Sequence, residues 1–122
     1  MCWIVVNLAT PDSSVCAVTP MRDVTVAGAA GVPLVGNCHI WYNLNTALTD
    51  TFIRQADAVD FALGATATNK QLVIQVDPAS LGGAYDCLYV TLGALAVTEA
   101  ISCDFYILPR YPQATPPSMI VD

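Results

Sequence analysis

The chain has almost no charge. It contains one Glu (Glu99), one Lys (Lys70) and one His (His39), and Asp, Glu, Lys and Arg together make up 11% of it, against roughly 25% in ordinary soluble domains. The four cations, Arg22, Arg54, Lys70 and Arg110, are scattered, and the net charge is −6. Nucleic-acid binding needs clustered cations that displace counterions, and anionic membranes ask for the same, so neither partner is expected.

The usual signatures of chemistry are missing as well. No G-x-S-x-G surrounds a nucleophile, no DxDxDG-like loop offers calcium a cage, and no Gly-rich loop opens a helix as a phosphate cradle would. The five cysteines, Cys2, Cys16, Cys38, Cys87 and Cys103, form no C-x-x-C pair. They read as small buried hydrophobes with free thiols. A bridge between Cys87 and Cys103 on neighbouring strands is left open, because only geometry decides it. Cys38 and His39 point to opposite faces of any strand that holds them, which argues against zinc. The carboxylate pairs Asp57 and Asp60, or Asp86 and Asp104, have acid–base or calcium readings. Asp86 is better read as serving a turn beside Gly82–Gly83, and Asp104 as lying on the solvated face of its strand. No enzyme, metal or cofactor is predicted.

Long apolar runs are absent too. The longest uncharged stretch, Val24–Thr49, is broken by Gly28, Gly31, Pro33, Gly36, Asn37, His39, Asn43 and Asn45, too polar for a membrane helix. The opening MCWIVVNLATPD has no basic n-region and only a short apolar run, so a signal peptide is not expected and synthesis in a cytoplasm is.

What the chain has in abundance is apolar side chain, 55% of 122 residues. One domain of this length cannot cover that much apolar surface alone, so part of the exterior is expected to be buried against partners. The alternative is a charge-poor domain coated with Thr and Asn.

The pattern is that of strands. Leu72, Ile74 and Val76 alternate with Gln71, Gln75 and Asp77, and Ile101, Cys103, Phe105 and Ile107 alternate with Ser102, Asp104 and Tyr106. That is the period of half-buried antiparallel strands. Between them, 85–92 has apolar or aromatic residues on both faces, which predicts a strand covered on both sides. Upstream, strands are predicted at Trp3–Asn7, at 15–19 ending at Pro20, at 22–27, and at 34–44 with Gly36 as a bulge or bend. Residues 46–62 are ambiguous: Thr49–Asp50–Thr51 reads as the cap of a short helix through Phe52, Ile53 and Asp57, whereas 58–63 reads as a strand. The expectation is all-β: an antiparallel β-sandwich or jelly roll of about eight strands over residues 1–109, with an extended Pro-rich arm over 110–122.

The succession IQVDPASL, YDCLYVTL and ISCDFYILPRY, followed by the Pro-rich end, resembles small accessory head proteins of tailed bacteriophages, the capsid decoration or cement proteins of jelly-roll or β-sandwich type. The resemblance covers about the last two-fifths of the chain. It implies a virion protein on the capsid surface, made in the host cytoplasm. Such a protein binds the major capsid protein, associates with itself as a dimer or trimer, and stabilises the shell by bridging capsomers. The arm carries Pro109, Pro112, Pro116 and Pro117, half of the eight prolines. Its apolar tip favours docking on a neighbour over the fraying usual at termini. Candidate interface residues are Trp3, Arg110, Tyr111, Pro112, Pro116, Pro117, Met119, Ile120 and Val121. A different class of function is a β-sandwich ligand-binding module, for carbohydrate or a receptor, using exposed aromatics such as Trp41, Tyr85, Tyr106 or Tyr111.

Overall fold

The computed structural model describes residues 1–9, 15–24, 31–93 and 99–108. They form strands β1 (Cys2–Ala9), β2 (Cys16–Asp23), β3 (Val32–Pro33), β4 (Cys38–Asn43), β5 (Ile53–Ala58), β6 (Phe61–Leu63), β7 (Lys70–Val76), β8 (Cys87–Leu92) and β9 (Ala100–Ile107). One 3-10 turn, Pro78–Leu81, precedes β8. The protein is all-β, with two antiparallel sheets in the manner of a β-sandwich.

The larger sheet has the order β5-β4-β7-β1-β9. Its registers set Ile40, Ile74 and Ile4 side by side across β4, β7 and β1, and all three are fully buried. Truncating any of them to Ala is worth about 2–5 kcal/mol. Along β1, Cys2, Ile4, Val6 and Leu8 face the core while Trp3, Val5 and Asn7 are half-buried on the other face. β7 repeats the pattern, with Leu72, Ile74 and Val76 inward. Its first inward position is Lys70, which is 2% exposed. The stem lies in the row with Leu8 and Ile101, and Nζ donates to the Thr66 carbonyl.

In the smaller sheet β2 is central, with β8 along one side and β6 and β3 sharing the other. Pro20 sits in mid-strand without cost. Gly93 N donates to Ala17 O at 2.7 Å, so backbone groups of odd-numbered β2 residues face β8 and those of even-numbered ones face β6 and β3. β6 pairs as far as Val18 and β3 begins at Met21. The nitrogen of Pro20 therefore points into the gap between them, where no ladder bond is lost.

The loop before β8 is tied to this sheet by one side chain. The Asp77 carboxylate accepts from Ala79 N at 3.0 Å and starts the 3-10 turn; Gly82, at φ 76°, ends it in a conformation suited to glycine. Arg22 donates from Nη1 to Leu81 O at 2.6 Å and from Nε to Pro33 O at 3.2 Å, and its guanidinium lies 4.2 Å from the centre of the Tyr85 ring.

Several expectations are corrected. Pro20 does not end a strand, and Arg22 and Asp23 continue β2 rather than opening a strand over 22–27; 25–30 lie outside the described residues. The strand predicted over 34–44 is confined to Cys38–Asn43, with Gly36 in a bend. Residues 53–58 are strand, not helix: Thr49 Oγ1 accepts from Thr51 N at 3.1 Å, a local turn in place of a helix cap. In β8, Cys87, Leu88, Tyr89 and Val90 are half-buried on both faces, but the cover does not reach Thr91 and Leu92. The strand pairs only with β2 among the described residues, and Leu92 is 36% exposed. The Pro109 stop and the arm over 110–122 lie outside the described residues.

Candidate functional site

One side-chain cluster owes its existence to an irregularity. Cys38 pairs with Ala58 but Ile40 pairs with Gln55, so Ala56 and Asp57 of β5 together oppose His39 of β4. This bulge reverses the alternation of β5 at that point. Arg54 and Asp57, three apart, then both stand on the outer face, where an uninterrupted strand would split them. Asp57 Oδ1 accepts from Arg54 Nη2, and Asp57 Oδ2 lies 3.0 Å from His39 Nδ1. Arg54 Nη2 is also 2.8 Å from that same Nδ1. The two contacts of Nδ1 exclude each other: with a proton it donates to Asp57, and bare it accepts from Arg54. The Arg54 hydrogen bond, then that of His39, holds the Asp57 carboxyl below the ordinary carboxylate value.

The same face carries the aromatics. The Arg54 guanidinium lies 4.9 Å from the centre of the Trp41 ring. On its other side Trp41 meets Trp3, with centroids 5.8 Å apart, and His39 meets it edge-on at 6.2 Å. Tyr106 pairs in register with Trp3 and is 60% exposed. Below them a polar ladder crosses three strands: Gln71 Nε2 donates to Asn7 Oδ1 at 2.6 Å, and Asn7 Nδ2 donates to Ser102 Oγ at 3.3 Å. Indole and phenol faces beside amide, hydroxyl and carboxylate groups are chemically suited to a ligand with alternating apolar and hydroxylated faces.

A second surface lies at the β9 edge. By register, Ile101, Cys103, Phe105 and Ile107 extend the inner rows of Leu8, Val6, Ile4 and Cys2. Ile101 and Cys103 are half-buried, but Phe105 is 42% and Ile107 62% exposed, with Leu108 at 63%. Here the sandwich opens into a groove of about 1030 Å³ whose walls include Met1, Val76, Leu81, Leu88 and Ile107.

Of the candidate interface residues, Trp3 stands on the outer face against Trp41. Arg110, Tyr111, Pro112, Pro116, Pro117, Met119, Ile120 and Val121 lie outside the described residues. Among the aromatics weighed for ligand binding, the fold brings Trp41 and Tyr106 to one face, while Tyr85 lies under Arg22 on the other sheet. Cys38 and His39 do point to opposite faces, one buried and one exposed. Asp86 is engaged by the Cys87 thiol at 3.3 Å, and among the described residues no three His, Cys, Asp or Glu side chains converge as metal ligands. The Arg54–Asp57–His39 cluster was not anticipated, because the bulge that assembles it leaves no mark in the periodicity. Among the described residues no helix is long and apolar enough to cross a membrane. No family model matches the chain, and neither a curated protein nor a solved structure shows significant similarity to it.

Proposed function

We propose that this is a structural virion protein that binds the outer surface of a phage capsid and stabilises the shell by bridging neighbouring capsomers. The supporting observation is the apolar inner row of the larger sheet running out uncovered at β9, where Phe105, Ile107 and Leu108 are 42%, 62% and 63% exposed around an open groove. A small domain that leaves core-facing side chains in water gains by covering them with another chain. With net charge −6 and scattered cations, that cover is protein rather than nucleic acid. The reading assigns the protein no catalysis. Its test is mass spectrometry and cryo-EM of the phage particles that encode the chain. The expected result is a stoichiometric virion component on the outside of the shell, released when Phe105 and Ile107 are both replaced by Asp. Absence from the particle, or wild-type occupancy by that variant, overturns the reading.

The outer aromatic face favours a second reading, a carbohydrate- or receptor-binding module, on the observation that Trp3, Trp41 and Tyr106 share one face of the larger sheet with polar neighbours. A glycan array discriminates: retention of a glycan that Trp41→Ala abolishes supports it, and an empty array counts against it.

A further inference from the structure

From the open edge of β9 we infer that two copies of this chain pair through that strand, antiparallel about a two-fold axis passing at Cys103, to make one sheet continuous across the dimer. This adds to the proposed function the self-association that the resemblance to capsid decoration proteins implies, and names its strand and register.

The ladder with β1 fixes which backbone groups of β9 face away from it. β9 pairs with β1 on one side and with no described strand on the other. Met1 and Leu108 exchange both backbone bonds, at 3.1 and 2.9 Å. By the alternation of antiparallel ladders, Tyr106, Asp104, Ser102 and Ala100 turn their backbone groups toward β1. Those of Ile101, Cys103, Phe105 and Ile107 face the open edge. Such an edge is a template for another strand unless charge, proline or a bulge blunts it. β9 has no proline and no bulge, and Asp104 is its one charged residue.

That carboxylate selects the register. Symmetric pairing must join residues whose backbone groups face outward, so the axis passes through a residue of β9, and the longest overlaps place it at Cys103 or Asp104. At Asp104 the two carboxylates stand directly opposite each other, a destabilising pair. At Cys103, Asp104 of each copy faces Ser102 of the other. The Ser102 oxygen already accepts from Asn7, so its hydroxyl proton is available to that carboxylate. On the inner side Phe105 then packs against Ile101 of the other copy, which covers the exposed ring and prolongs the row through Ile4. The two Cys103 residues form the central hydrogen-bonded pair, at a Cα separation of about 5.5 Å, inside the span a disulfide can bridge.

The test uses the full chain. Sedimentation equilibrium is expected to show a reversible monomer–dimer equilibrium. In a Cys87→Ser background, diamide takes two protons and two electrons from the facing thiols, and the tryptic peptide 71–110, whose one cysteine is then Cys103, is recovered as a disulfide-linked pair. In the otherwise wild-type chain, Ser102→Asp sets carboxylate against carboxylate twice per dimer and is expected to weaken association about tenfold. Ser102→Lys strengthens it. A chain that stays monomeric at every concentration overturns the inference, as does a dimer that yields no Cys103 cross-link. An Asp104→Ser gain larger than that of Ser102→Lys overturns the register. None of these measurements involves a capsid, so self-pairing and shell binding succeed or fail separately.

Discussion

Trp3 and Trp41 are in contact, with ring centroids 5.8 Å apart and planes inclined at 32°, although they stand on β1 and β4, two strands separated by β7. The indoles therefore span the middle strand from above. They are the only two tryptophans of the chain. An exciton couplet in the circular dichroism spectrum is expected, lost in both Trp3→Phe and Trp41→Phe. A double-mutant cycle to Ala should give a coupling of about 0.5–1.5 kcal/mol. Additive single effects with an unchanged spectrum would sink this geometry.

Lys70 carries its ammonium into a buried position, 2% exposed. Desolvation lowers its ammonium from the ordinary 10.5, against an opposing pull from Glu99. In the interval between its folded value and 10.5 the unfolded chain holds more protons, so this group makes stability rise with pH. Lys70→Met keeps the stem and removes the charge, and should be neutral or stabilise by about 1 kcal/mol at neutral pH. Urea melts of both chains from neutral to alkaline pH check it. A large loss in the Met variant would show that the Nζ contact with Thr66 outweighs desolvation.

The thiols should behave as packing groups. All five cysteines are free, and Cys2, Cys16 and Cys38 are buried. Burial first, and Asp57 second, push the Cys38 thiol up to about 11. In native protein these three are expected to resist Ellman's reagent until unfolding, and reductant should leave Tm unchanged. Cys38→Ser should cost about 1–3 kcal/mol, the penalty for a hydroxyl in an apolar site. Rapid native labelling of Cys38 would contradict this placement.

Asp57 gives the outer face its pH dependence. Its folded carboxyl is depressed by Arg54 and His39, so the stabilisation it provides is fully present above the unfolded value. It disappears as pH falls through the lower, folded one. Carbon-detected NMR titration should show this shift, and Arg54→Ala should return Asp57 toward an ordinary carboxylate. An Asp57 that titrates normally in the wild type would remove the cluster from consideration.

Gly93 marks a close approach of backbone to backbone. A Cβ there would lie 2.9 Å from Ala17 N, beside the bond from Gly93 N to Ala17 O. Gly93→Ala is expected to destabilise by about 1–3 kcal/mol, since neither strand end can move away cheaply. Thermal melts of the variant decide the point.

Where a strand kept strict alternation, as in Leu72–Ile74–Val76, the fold was legible in the sequence, because period two admits no other buried face. It was not legible where a tertiary circumstance overrode local chemistry. Pro20 reads as a strand end unless one knows that β6 stops and β3 starts on either side of it. Thr49 and Asp50 carry a helix-cap signature, but the threonine closes a local turn and the chain continues as β5. Lys70 shows no sign of burial in the sequence, because no periodicity predicts a buried ammonium. The aromatic face was half legible: Trp41 and Tyr106 were candidates, but their meeting with Trp3 depends on the order β4-β7-β1-β9, which no local signal encodes.

The order in which the chain is made adds a consequence to that strand order. β1 is synthesised before the other described strands, yet both its neighbours, β7 and β9, come late in the order. Until Lys70–Val76 has been synthesised, Ile4, Val6 and Leu8 have neither a ladder to join nor a core to enter. The larger sheet closes only when Ala100–Ile107 arrives. Pairings this distant in sequence close their loops slowly and leave apolar edges exposed meanwhile. Yield of native protein is accordingly expected to depend on how nascent chains are spaced and chaperoned.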